Sequence, residues 1–357
     1  MKILARMLTR MVLTRFLGIL VGISLFVLLL EIVTFSREIG NIRPDDFSIY
    51  PDYMFARLPV ILATFLPICV LLAMLLTLTE LSYRNEMAAL WATGISPLRL
   101  TRMLLPLAIF IGALHFVLGD YVIPRVSPQL RLWGVGDYGK ISKKGDALNA
   151  IWMRAGNDIL RVGSANDAST VLANVVIFRR DANGILDQQI YAVGAVIENG
   201  KWLLKNVDIY FGGERPRQHV DTLPYDGSLT PAAAGQRTGE PEELSLRDLR
   251  YFVANSGFGL KPVWVYQTWW FKRLSLVFTG LVMIALCIPL ASRFRRGGGM
   301  GGLFAAGVAL GFLFFVADGI SVTLGELGFV TPWFAAWFPV IGFLALAASL
   351  TLRAERV

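Results

Sequence analysis

Six long apolar stretches constrain this chain more than any other feature of its sequence. They run over about 12–35, 59–79, 100–123, 274–291, 302–322 and 333–352. A helix needs about 20 apolar residues to cross a bilayer core, and within that core it satisfies every backbone N–H and C=O inside one segment. The stretches therefore read as six transmembrane helices, three on each side of a long polar segment. Composition agrees, since 55% of the 357 residues are hydrophobic and only 17% are charged, against about 45–50% and about 25% in soluble chains. The first stretch exceeds the roughly 7–15 apolar residues of a secretory signal and no small-residue cleavage site follows it, so it is expected to remain as a helix.

Orientation follows from lysine and arginine in the short flanks. Lys2, Arg6, Arg10 and Arg15 precede the first span; Arg84, Arg99 and Arg102 lie between the second and third; Arg293, Arg295 and Arg296 follow the fourth; Arg353 and Arg356 end the chain. With six spans these regions share one side, so both termini are expected in the cytoplasm. The net charge of +8 is mostly this bias and does not point to nucleic acid. Lys272 and Arg273 break the bias at the far side of span four, where snorkelling into headgroups is the expectation. The two cysteines, Cys69 and Cys287, lie inside different spans and read as packing residues.

Residues 124–262 form the exported segment. Runs rich in Val, Ile, Tyr and Trp alternate with polar residues around Asn183-Gly184 and Asn199-Gly200, dipeptides that accept the positive φ of tight hairpins. The expectation is an all-β domain of eight to ten strands, a sandwich or jelly roll. The stretch "TPAAAGQRTGEPEELS" (230–245) reads as a loop. The following "SLRDLRYFVANSG" reads as a short helix capped by Ser245, with Gly257 past its end. The fold class is thus an α+β membrane protein: 1–123 with three spans and a short helix over 80–94, a β domain over 124–262, and three spans over 263–357.

No catalytic constellation emerges. "RFRRGGGMGG" (293–302) lacks the Lys-Ser/Thr and the preceding strand of a phosphate loop. His115 and His219 have no neighbours that complete a metal motif, and no nucleophile elbow occurs. No metal or cofactor is expected in this chain. Glu31 and Asp318 lie late in spans one and five, where an ionised side chain is costly. Two readings stay open for them: hydrogen bonds to neighbouring helices, or the polar lip of a cavity.

Between spans two and three stands "ELSYRNEMAALWATGISPLRL" (80–100), with Tyr83, Met87, Leu90 and Trp91 at helical spacing. Glu80 and Arg84 form an i,i+4 pair. Gly94 suits a left-handed helix end, and Ser96-Pro97 suits a cap followed by the first helical position. The apolar stripe fits a helix laid into a partner's groove, or one packed on the protein's own spans.

The loop "YRNEMAALWATGIS" resembles the coupling segment of lipopolysaccharide-export permeases, the paired membrane subunits of an ABC transporter of Gram-negative bacteria. "GDYVIPRVSPQLR", "AIWMRAGNDILRV", "LSLRDLRYFV" and "GFLFFVADGIS" follow in the family's order, and the likeness is greater to its G-type than to its F-type subunit. The resemblance implies an inner-membrane permease paired with a paralogous F-type permease, a cytoplasmic ATPase dimer that uses the ATP and Mg, a single-span periplasmic accessory protein, and β-jellyroll domains stacked into a periplasmic bridge. It implies that Glu86 is the acidic coupling residue, with Tyr83, Arg84, Met87, Leu90 and Trp91 beside it in the ATPase groove. Family members of this type carry several lysines after span one. Here only Arg37 and Arg43 are basic, and Thr34, Gly40 and Asn41 stand nearby. Lipopolysaccharide phosphates are accordingly expected at Arg37 and Arg43. Spans one and five, with Phe26, Phe35 and Glu31 on one and Phe312, Phe315 and Asp318 on the other, are expected to line one cavity. The competing readings are a permease of lipoprotein-release type, whose exported domain follows the first span, a membrane-anchored envelope enzyme, and a scaffold.

Overall fold

The computed structural model describes residues 2–44, 46–138, 151–155, 157–165, 171–181, 184–198, 201–211, 216–226, 240–254, 261–293 and 300–355. The chain divides into two compact units, one of residues 1–127 with 271–357 and one of residues 128–270.

The first unit is helical. It contains α1 (Lys2–Thr34), α2 (Ser36–Gly40), α3 (Ile49–Tyr83), α4 (Glu86–Ala92) and α5 (Pro97–Val117). A π-helical turn over Leu118–Val122 carries α5 directly into α6 (Ile123–Trp133). After the β strands come α7 (Leu246–Ala254), which belongs to the second unit, and then α8 (Val263–Arg293), α9 (Met300–Glu326) and α10 (Pro332–Glu355). Among the described residues six helical segments are long and apolar enough to cross a membrane: α1, α3, the α5–α6 run, α8, α9 and α10. The third runs on to Trp133, past the apolar stretch that ends near residue 123. Its π turn precedes Pro124, which has no N–H to bond the carbonyl four residues back, and the turn re-spaces the ladder without ending the helix.

Helices α1, α3, α4, α5, α8, α9 and α10 share a continuous core that includes Phe16, Leu66, Met74, Leu78, Ile111, Leu286 and Phe314. Small residues set the closest crossings, as they do where lipid removes any hydrophobic drive between helices. A Cβ on Gly112 of α5 would stand 1.9 Å from the Val277 carbonyl oxygen of α8. Gly307 and Gly311, one turn apart on α9, receive the Leu75 and Leu71 side chains of α3, which would lie 2.3 and 2.4 Å from added Cβ atoms. Cys69 and Cys287 are free and buried in this core.

The second unit is built on one antiparallel sheet with strand order β1-β2-β3-β4-β5-β6. The strands are β1 (Ile151–Ala155), β2 (Asp158–Ala165), β3 (Val171–Arg180), β4 (Leu186–Glu198), β5 (Lys201–Phe211) and β6 (Gln218–Tyr225). Among the described residues there are thus six strands, against eight to ten expected, and each pairs with its sequence neighbour in an up-and-down order. Gly184 takes φ +82° in the β3–β4 turn, as the hairpin signal requires. Asn183, Asn199-Gly200, Gly257, residues 230–239 of the expected loop and residues 294–299 of the glycine stretch lie outside the described residues.

One feature of this sheet breaks simple alternation. Leu172 and Val175, Ala192 and Ala195, and Leu204 and Val207 are all core residues, three apart where period two allows only even steps. Between them Asn174, Val193 and Asn206 drop out of the ladder side by side, and both asparagines take φ 53°. The phase slips on adjacent strands at one line, so a single face stays buried across it. At that face Tyr225 donates to Asp158 at 3.2 Å, and burial, the first cause, raises its hydroxyl pKa. On β5 and β6, His219 Nδ1 lies 2.8 Å from Asp208. Hydrogen bonds from His219 and then Arg217 hold that carboxyl below its usual range. Helix α7 is capped as expected: Ser245 Oγ accepts from the Asp248 N–H at 3.2 Å and donates to the Asp248 carboxylate at 2.6 Å. Phe252 of α7 stacks on Tyr266 of α8 at 4.6 Å.

Candidate functional site

The stretch between α3 and α5 is a break and a short helix, not one helix over 80–94. Helix α3 runs to Tyr83, Asn85 turns left-handed at φ 59°, and α4 restarts at Glu86. Gly94 at φ +76° ends the excursion. Ser96 Oγ then accepts from the Arg99 N–H at 3.3 Å, with Pro97 in the first turn of α5. The apolar stripe divides between two surfaces. Met87 is buried in the protein's own helical core, with Leu90 and Trp91 packed against it. Tyr83, by contrast, is 73% exposed. The surface that α4 presents outward is therefore Tyr83, Arg84, Glu86 and the alanines at 88, 89 and 92. Helical spacing alone cannot tell a stripe that faces a partner from one that faces the protein itself. Arg84 bonds Glu80 at 2.7 Å, the expected i,i+4 pair. Glu80 also pairs with Arg15 of α1, a partner the sequence did not suggest.

At the other end of α1 the chain bends at Phe35 into α2. Ile39 and Ile49 are fully buried there, and Tyr50 donates to the Ser36 carbonyl at 3.2 Å. Arg37 stands exposed on this small platform and makes no ion pair among the described residues. Arg43 is occupied, bonding Asp52 at 3.0 Å and lying 3.8 Å from Asp46. Glu31 faces inward to α3, where it accepts from Arg57 at 2.8 and 3.0 Å and from the Tyr53 hydroxyl at 2.7 Å. Of the two readings open for Glu31, bonding to the neighbouring helix is the one observed. Phe35 is half-buried, and Phe26 is 62% exposed on α1.

On α9, Phe312 is 69% exposed, while Phe315 is half-buried and meets Phe314 edge to face at 5.9 Å. Asp318 pairs with Lys272 of α8. Lys272 and Arg273 are both buried. They do not snorkel: Lys272 has a carboxylate within the bundle, and the Arg273 guanidinium packs where a Cβ on Gly119 would sit 2.4 Å from Nη1. Among the described residues no hydrogen bond or ion pair joins the α1 set to the α9 set. Each instead presents an exposed phenylalanine beside an internally satisfied acid. The sequence exposed the acids but not their partners. The available signal was depth, since Arg57 and Lys272 stand at span ends comparable to those of Glu31 and Asp318.

Among the described residues no cluster of His, Cys, Asp or Glu could hold a metal. Among the described residues the site thus offers two exposed apolar faces, an arginine beside them that makes no ion pair and, on α4, the exposed carboxylate of Glu86.

Comparison with known proteins agrees with this layout. The model of the lipopolysaccharide export system permease LptF/LptG family matches residues 6–353. The lipopolysaccharide export system permease protein LptG of Escherichia coli K12 is 23% identical over 352 residues, covering 95% of this chain and 96% of that protein. The protein of the same name from Haemophilus influenzae is 23% identical over 338 residues, covering 92% and 91%. With six candidate spans and a β sheet inserted between the third and fourth, this chain belongs to the lipopolysaccharide export system permease LptF/LptG family.

Proposed function

We propose that this chain is the G-type permease of an ABC exporter that extracts lipopolysaccharide from the inner membrane. The observation that carries the reading is the family match over residues 6–353, joined to likeness with LptG proteins along nearly the whole chain. An F-type paralogue is its partner across a lipid-lined cavity. Phe26 and Phe312 supply apolar wall for acyl chains, and Arg37 supplies a cation for a headgroup phosphate, because a guanidinium bonds phosphate strongly and with defined geometry. Both termini lie in the cytoplasm and the sheet unit lies in the periplasm. There a single-span accessory protein and a bridge protein receive the lipid. The edge strands β1 and β6 are the positions where strand addition would extend the sheet.

ATP and Mg are used by a separate cytoplasmic ATPase dimer that takes α4 in a groove. Glu86 is exposed there for an interfacial ion pair, and Tyr83 and Arg84 flank it. Met87 anchors α4 to the permease itself, so a push on α4 is delivered to the bundle. The test is affinity purification of the tagged full-length chain from its native membrane. The expected result is recovery of an ABC ATPase and a second six-span permease in fixed proportion. A folded chain that brings down neither overturns the reading.

A further inference from the structure

Helix α1 lies at the edge of the helical unit. One of its faces leaves Leu17, Val21, Leu25, Phe26, Leu29 and Val33 exposed. Two ion pairs tie its other face to α3. Near its middle Arg15 pairs with Glu80, with side chains 24% and 32% exposed. Near its end Glu31 pairs with Arg57, with side chains 14% and 20% exposed. The two pins stand about 24 Å apart along α1 at 1.5 Å per residue. Between them Phe16, Leu20, Leu66, Val70 and Leu78 belong to one buried cluster. Glu80 lies one turn before the left-handed break at Asn85 and also bonds Arg84 at 2.7 Å. One carboxylate thus joins the middle of α1, the end of α3 and the residue that leads into α4.

We propose that Arg15 and Glu80 are positioning residues for coupling: they clamp α1 to the α4 end of α3, so that a displacement of α4 moves α1 and its Arg37 end as one body. This rests on the export reading above. Without the lower pin, the α4-side half of α1 keeps only apolar, non-directional contacts and lags as α3 follows α4, while the Glu31–Arg57 pair still holds its far end. Hydrolysis then continues while less lipid is moved per ATP. A merely structural pair would instead lower hydrolysis and transport together.

The experiment uses the complete reconstituted complex with Arg15→Glu, Glu80→Arg and the double charge swap, and reads lipopolysaccharide released per ATP hydrolysed. Each single variant is expected to lower that ratio about five-fold or more, the lower range of coupling between distant sites, while hydrolysis stays near wild type. The swap is expected to restore the ratio. Spin labels at Ala89 on α4 and Leu17 on α1, an exposed position beside Arg15, give a second readout that needs no lipid. Their separation is expected to stay fixed on ATP binding in the wild type and the swap, and to change in the singles. Single variants with a wild-type ratio and a fixed separation overturn the proposal, as does a parallel loss of hydrolysis and transport that the swap leaves unrescued. If the wild-type complex hydrolyses ATP and moves no lipopolysaccharide, the export reading fails, and the spin-label distances still decide the clamp.

Discussion

Ionised side chains at the ends of these spans are matched by a charge on the neighbouring helix: Glu31 by Arg57, Glu80 by Arg15, and Asp318 by Lys272. Removing one member of a sequestered pair leaves the other uncompensated, which costs about 3–5 kcal/mol, whereas replacing both with apolar groups of similar volume is often neutral. Lys272→Met is therefore expected to destabilise the detergent-solubilised chain by about 3–5 kcal/mol, and Lys272→Met with Asp318→Leu to recover most of that loss. Unfolding midpoints of the two variants check this; equal losses would mean the pair contributes little. At this scale the sequence showed which acids needed an explanation but not which bases answered them. Lys272 read as a snorkelling residue because it broke the charge bias, and that bias describes flanks, not partners inside the bundle.

Among the elements, the six spans and the site of the β insertion were legible, because hydrophobic length is a sequence property and the bilayer sets its scale. Caps and turns were legible too, at Ser96, Ser245 and Gly184. Three features were not. The third span continues through a π turn to Trp133 because α6 is held by its own contacts, including the Arg131–Glu243 pair at 2.7 Å. The sheet pattern shifts phase at Asn174 and Asn206, and period-two reading does not anticipate a left-handed residue inside a strand. Met87 faces inward, buried in the helical core with Leu90 and Trp91 packed against it, and helical spacing does not say which body a stripe faces. Helix crossings were equally invisible, since a glycine in a span does not announce what lies against it. Gly112→Ala places a Cβ against the Val277 carbonyl and is expected to cost about 1–3 kcal/mol, as overpacking does. Gly342→Ala on α10 meets nothing within 4 Å and is expected to be neutral or to stabilise by up to about 1 kcal/mol. Parallel unfolding curves of the two variants make the comparison.

The molecule as a whole joins a membrane unit and a sheet unit in one chain, and in the proposed exporter each performs one task. The membrane unit has a carboxylate-bearing helix at one end, an exposed arginine on α2 just past the far end of α1, and exposed aromatics on α1 and α9. Lipid extraction requires all three: a grip for the motor, a cation for phosphate, and apolar walls without unpaired polar atoms. In the proposed exporter this chain handles lipopolysaccharide directly with those walls. The most direct test places a photoreactive residue at position 37 and, separately, at position 312 of the chain within the reconstituted complex. Lipopolysaccharide adducts are expected at both positions, diminishing when ATP is added. Adducts at neither position, in a complex that still transports, would contradict direct handling.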